Sequence, residues 1–157
     1  MATIMRKMNI ISRCESIYRT QQLAEELPGI FHSYILCICR HPGMSQDKLA
    51  KHLCLNKSNV TRHLTKLEQK GYIERRVCAE DKRELLVYPT QQMLDLHPQV
   101  VGITREWNAL VAADVTEEEL EVFHRVLDKM LEKSKAIVYG EDNIRDDSLR
   151  GGEGAGR

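Results

Sequence analysis

This 157-residue sequence predicts a mainly helical fold with one small β-hairpin, on three observations. Apolar residues recur at helical spacing through most of the chain. Residues 73–78 (IERRVC) and 84–88 (ELLVY) instead have strand composition, and Ala79–Arg83 between them supplies Glu80-Asp81 as turn residues. Helix-breaking and helix-capping residues stand where elements should end or begin: Pro28-Gly29, His41-Pro42-Gly43, Gly71, and Thr116 followed by three glutamates.

The first helical pattern covers 10–25 and holds Ile10, Ile11, Cys14, Ile17 and Tyr18, leaving 1–9 as a flexible N-terminus. The second, IFHSYILCICR over 30–40, is apolar nearly all round and should be buried. Ser45 is placed to cap a short helix, with Asp47 near its positive end and Leu49, Ala50 and Leu53 as its buried stripe. The turn Cys54-Leu55-Asn56 leads into a helix over 56–70, with Asn56 as cap, Val60, Leu64 and Leu67 inward, and Gly71 as its stop. After the hairpin, which ends at Pro89, a helical pattern runs over 90–113, and Pro98 should kink or restart it. Thr116 and Glu119 match a capping box for a last helix to 138, carrying Leu120, Phe123, Val126, Leu127, Met130, Leu131, Ile137 and Val138. So large an apolar supply suggests that part of it, with the first helix, faces a second copy of the chain. Residues 139–157 are rich in Gly and charge and read as a disordered tail.

The formal net charge is +0, so bulk charge points to no partner, but its distribution is uneven. Residues 45–85 hold ten Lys/Arg against six Asp/Glu, a balance of +4, and residues 114–157 hold seven against twelve, a balance of −5. A basic middle and an acidic end allow one face to approach nucleic acid while the other is held away. Five cysteines, no secretory leader and no long apolar run point to a reducing cytoplasm and against a membrane span. No G-x-S-x-G, P-loop, G-x-G-x-x-G or H-E-x-x-H occurs, so an enzyme is not expected. His41, His52 and Cys54 lack the tight spacing of a closed zinc site, so neither metal nor cofactor is expected.

Two helices joined by a short turn and followed by a basic hairpin form the order of a winged helix-turn-helix, over 41–89. On its second helix Ser58, Thr61, Arg62 and Thr65 fall at i, i+3, i+4 and i+7, flanked by Lys57, Asn59 and Lys66. Short hydrogen-bonding side chains beside an Arg suit base edges and phosphates in a major groove. Ser45 at the start of the preceding helix, Arg75 and Arg76 on the hairpin arm, and Asp81, Lys82 and Arg83 at its tip complete the candidate DNA-binding set. An isolated helix with such a face would ordinarily be a solvated surface; its flanking elements favour the nucleic-acid reading.

Over about residues 10–138 the chain resembles the MarR (multiple antibiotic resistance regulator) family of transcription factors. The resemblance is most specific in SNVTRHLTKLEQKGYIERRVCAEDKRELLVYPT, including the Asp-x-Arg of the wing tip, Asp81 and Arg83. It implies a homodimer held by the first helix and the last two, with 10–40 and 90–138 as scaffold and dimerisation segments. It also implies double-stranded DNA as partner, a pseudo-palindromic operator, repression relieved by an effector, and an Asp81 that orients Arg83. The chain departs from the family pattern at Tyr88-Pro89-Thr90-Gln91-Gln92, where Leu-Thr-x-x-Gly is usual, and in a short segment between the first two helices.

For the effector, a small aromatic or anionic molecule is one expectation, with His32, Tyr34 and Arg40 as candidate contacts; buried His and Tyr are, however, more often satisfied core groups. Oxidation of Cys14 is the other, because some members sense peroxide through a first-helix Cys and Cys14 lies one turn before Tyr18. Cys37 and Cys39, on a very apolar helix, read as structural. A protein-interaction winged helix without DNA affinity, or a regulator that activates, stands as the alternative.

Overall fold

The computed structural model describes residues 3–23 and 27–140. In chain order the elements are helix α1 (Ile4–Gln22), a 3₁₀ turn (Gly29–Phe31), helix α2 (His32–Arg40), strand β1 (Met44–Ser45), helices α3 (Gln46–His52) and α4 (Lys57–Gln69), strands β2 (Ile73–Val77) and β3 (Leu85–Pro89), and helices α5 (Gln91–Val111) and α6 (Glu117–Tyr139). Mainly helical with a small sheet is therefore the observed class. The chain divides between Leu110 and Val111 into two compact units.

In the first unit the core gathers around α2, α3 and α4. Tyr34, Ile35 and Ile38 of α2, Leu49 of α3, and Val60, Leu64 and Leu67 of α4 are buried, joined by Ile73 and Val87 of the sheet and by Met93 and Val100 of α5. The expected inward stripe of α4 and the burial of α2 are both present.

The sheet has three antiparallel strands in the order β1-β3-β2, where a two-stranded ribbon was expected. Met44 pairs with Val87 and Ser45 with Leu86, and the Gly43 amide donates to Val87 O at 2.8 Å. Gly43 turns the chain with φ +84° against the Tyr88 ring, a conformation and a closeness that suit glycine. Two residues are too short to show strand periodicity, so β1 left no mark in the sequence pattern.

The helix signals held with three adjustments. Helix α1 starts at Ile4, not at residue 10: Thr3 Oγ1 accepts from the Arg6 amide at 3.3 Å, and that cap lets the first turn form within the segment expected to be flexible. Helix α5 runs unbroken through Pro98, so the proline does not restart it. No residue of α6 is buried within the single chain; its apolar stripe was expected to be covered, part of it by a second copy. In α6, which forms most of the described second unit, Thr116 Oγ1 accepts from the Glu119 amide and Glu119 Oε2 accepts from the Thr116 amide at 2.9 Å, the expected capping box. The helix reaches Tyr139, one residue into the expected tail; the rest of that tail, from 141, lies outside the described residues.

Candidate nucleic-acid interface

Helix α3 ends in two crossed backbone bonds that aim α4. The Cys54 amide donates to Lys51 O at 3.1 Å and the Leu55 amide to Ala50 O at 2.9 Å, with Cys54 at φ +53°. That is a Schellman stop with Cys where glycine is usual. Asn56 then caps α4, its Oδ1 accepting from the Ser58 amide at 2.9 Å. At the far end Gly71, at φ +80°, makes the same kind of stop, with the Tyr72 amide donating to Leu67 O at 2.9 Å.

On the outer face of α4, Lys57, Ser58, Asn59, Thr61, Arg62 and Lys66 are exposed and Thr65 is half-buried. Arg62 reaches Asn59 Oδ1 at 3.2 Å, and Lys57 Nζ meets Asp47 Oδ2 of α3 at 2.7 Å. The predicted face is therefore present as one surface. Ser45 does not join it: the residue is buried and its hydroxyl caps α3 through the Lys48 amide at 3.4 Å.

The wing tip is built as the Asp-x-Arg spacing suggests, by a different contact. Asp81 O accepts from the Glu84 amide at 3.0 Å, closing a turn, and Asp81 Oδ1 accepts from the Arg83 amide at 2.9 Å. The carboxylate thus fixes the backbone of the turn and leaves the exposed Lys82 and Arg83 side chains at its outermost positions. On β2, Arg76 is exposed, ion-paired with Glu74 and stacked over the Tyr88 ring at 4.4 Å.

Arg75, expected on the phosphate-facing arm, points inward instead. Its Nε donates to Glu68 Oε2 at 3.0 Å, Nη1 to Gln46 Oε1 at 3.1 Å and Nη2 to Thr65 Oγ1 at 3.4 Å; Glu68 Oε1 also accepts the Arg75 amide at 3.1 Å. One guanidinium thereby ties the hairpin, α4 and α3 together, and its hydrogen bonds hold the Glu68 carboxyl below its ordinary pKa. Neither Glu68 nor Gln46 was singled out from the sequence, where an ion pair seven residues apart across a turn has no local signature. His63, also on α4, faces the core: its Nδ1 lies 3.0 Å from the Tyr34 hydroxyl, and Phe31 packs edge-on against its ring. Burial, then Arg62 and Lys66, lower its pKa.

The residues considered for an effector are not gathered. His32 and Arg40 stand at opposite ends of α2, Arg40 is exposed, and Tyr34 is committed to His63. His32 is fully buried and, among the described residues, neither of its ring nitrogens nor the buried Nε of Arg19 on α1 has a hydrogen-bond partner. Burial, with Arg19 nearby, lowers the His32 pKa to about 4, so the ring is neutral at pH 7. Cys14 is exposed on α1, whereas burial raises the Cys37 thiol to about 11. Among the described residues no group of three His, Cys, Asp or Glu side chains is arranged to hold a metal ion, and no helix is long and apolar enough to cross a membrane.

Comparison with known proteins places this arrangement. Residues 32–85, from α2 through the wing, match the MarR family model. A MarR-family transcriptional regulator from Listeria monocytogenes, crystallised with a 26-mer DNA, is 26% identical; the match covers 86% of this chain and 91% of that one, with a TM-score of 0.79. MepR of S. aureus, in a DNA complex, is 25% identical over 85% of this chain and 99% of its own, with a TM-score of 0.78. A MarR regulator from Methanosarcina mazei Go1, 21% identical over 85% of this chain and 97% of its own, shares the fold with a TM-score of 0.79. Motif, fold and family model agree: residues 32–85 match the MarR family, a family of transcription factors rather than enzymes, and the chain is similar in fold to its winged helix-turn-helix transcriptional regulators.

Proposed function

We propose that the chain is a cytoplasmic, ligand-responsive repressor that binds a pseudo-palindromic operator as a homodimer. The observation that carries this reading is the continuous basic and hydroxyl-bearing face of α4, held between α3 and a wing whose tip is ordered by Asp81. DNA in the complexes of two relatives supports it. A two-fold dimer would set two α4 helices about 34–36 Å apart, one helical turn of DNA. Arg62, Ser58, Thr61 and Thr65 would meet bases and nearby phosphates; Lys57, Lys66, Arg76, Lys82 and Arg83 would mainly grip phosphate and minor groove. Arg75 leaves the phosphate-contacting set, because its donors are committed internally.

The homodimer is supported by the exposed apolar residues of α1, Ile4, Met5, Ile10, Ile11 and Ile17, and of α6, Phe123, Val126, Leu131, Ile137 and Val138. Ligand response is supported by His32, since a buried ring with two unmade hydrogen bonds carries a penalty that a bound polar molecule would remove. The ligand shifts operator affinity only as far as it distinguishes the two dimer states. Exposure of Cys14 supports oxidation as a second trigger.

Fluorescence anisotropy on a selected palindrome and on random duplex, across a salt series, tests the reading. A specific affinity roughly 10³-fold or more above random is expected. Arg62→Ala should narrow that gap, and Arg83→Ala should lower the salt slope by about one. Weak, salt-insensitive binding indifferent to both substitutions would leave a protein-interaction module instead.

A further inference from the structure

Three hydroxyl side chains stand on the outer side of α4, and each commits its proton within the protein. Thr61 Oγ1 donates to Lys57 O at 3.0 Å, Thr65 Oγ1 to Thr61 O at 2.9 Å, and Ser58 Oγ to Asn56 Oδ1 at 2.6 Å. A hydroxyl has one proton and two acceptor sites, so each retains acceptor capacity only. Thr65 gives up part of that as well, accepting from Arg75 Nη2 at 3.4 Å. Near them Arg62 and Lys66 are exposed cations, and the Arg62 guanidinium donates to Asn59 Oδ1.

We infer that Thr61 and Thr65 read A·T pairs, each as an acceptor oxygen beside a methyl group, and leave guanine to Arg62. The inference rests on the DNA-binding reading above and adds the base classes that α4 selects. In the major groove an A·T pair shows the adenine N6 donor and the thymine methyl together, the complement of a threonine whose proton is committed. A G·C pair also offers a donor, the cytosine N4, but no methyl, and its guanine shows two acceptors that such a threonine cannot bond and an arginine bonds in pairs, so the methyl carries the discrimination. Four residues of helix rise about 6 Å, close to two base steps of about 3.4 Å. Each half-site should therefore carry A·T pairs about two steps apart, with a guanine beside them. Arg75 takes a part in specificity without touching DNA, since its bond to Thr65 turns that side chain towards reading by its methyl.

The test begins with operator selection from a random duplex pool by the full-length chain. Replacing thymine by deoxyuridine at the two positions removes the methyl and keeps the pairing. Affinity should fall roughly fourfold per methyl, from about 0.8 kcal/mol for each buried CH₂-sized group. Thr65→Val, which keeps a methyl and loses the hydroxyl, should retain the discrimination between thymine and uracil at its position. Thr65→Ser should lose it. Unchanged affinity of the wild-type chain for the deoxyuridine duplex would overturn the inference, as would a consensus with G·C pairs at both positions. These outcomes require specific DNA binding, so they are separate from failure of the regulator reading. Salt-insensitive binding without any consensus would remove both.

Discussion

Helix α4 buries Val60, Leu64 and Leu67 almost completely, whereas α6 carries Phe123, Val126, Leu131, Ile137 and Val138 and buries none of them. By apolar spacing alone the two helices make the same statement about a core. The difference lies in what surrounds them. Helix α4 is enclosed by α2, α3 and the sheet, so its apolar stripe closes one protomer's core. Among the described residues of its own unit the α6 stripe meets no such enclosure, and Ile137 keeps 75% of its surface exposed. An amphipathic pattern thus specifies that a face will be covered, and leaves open whether the cover comes from the same chain.

The largest effect should come from breaking the closed side. Leu64→Ala should cost about 2–5 kcal/mol of unfolding free energy, through lost burial and the cavity left behind. That loss should be the same at any protein concentration. The open side should behave differently. If a second copy covers α6, the wild-type urea midpoint rises with protein concentration, and Phe123→Glu abolishes the rise while converting dimer to monomer in sedimentation. A wild-type midpoint indifferent to concentration would show that self-association does not cover this face.

The closed side has its own weak point in His32. A base whose folded pKa lies at about 4, below its unfolded value near 6.5, is bound by a proton in the unfolded chain before the folded one. Its contribution is therefore fully present above pH 6.5 and is lost as pH falls towards 4. The slope is up to about 1.4 kcal/mol per pH unit for one such group, roughly 3 kcal/mol across the window. His63, lowered in the same direction, adds to it. Urea unfolding between pH 7 and 4 should show the decline, and His32→Leu should flatten it. A limb of unchanged slope in that variant would mean that His32 gains a partner in solution.

The two regions also differ in how much of them could be read beforehand. Caps were legible, because a side chain that satisfies its own helix terminus acts within three residues: Asn56, Ser45, Gly71 and the Thr116–Glu119 box all stand where expected. The exposed face of α4 and the order of its flanking elements were legible for the same reason. Arg75 was not. Its sequence neighbours, Glu74 and Arg76, gave it the look of a wing cation, and its choice of Glu68, Gln46 and Thr65 exists only after the fold brings them together. Strand β1 was hidden by its length, and Ser45 by holding two roles, strand residue and cap, that bury it. Thr116→Ala measures how far local legibility converts into energy. Removing the cap should lower stability by about 1 kcal/mol, seen as reduced helicity at equal temperature. A smaller loss would mean that α6 is held chiefly by what covers its face.

The smallest predicted effect is a gain, at the joint that aims α4. Cys54 sits at φ +53°, where a Cβ crowds the backbone and an ordinary L-residue is disfavoured by about 1–2 kcal/mol. Its side chain returns little, since it is exposed and its sulfur lies 3.6 Å from Lys51 O. Glycine would relieve the strain and lose about 0.5–1 kcal/mol through the greater freedom of the unfolded chain. Cys54→Gly should therefore raise stability by a few tenths to about 1 kcal/mol, read as a higher urea midpoint with unchanged cooperativity. Operator affinity should stay constant, because the two crossed bonds of the turn are made by backbone atoms that glycine retains. A stabilised protein with weakened operator binding would show that the strained turn itself sets the angle of α4. A destabilised one would show that the thiol contributes packing that its exposure conceals.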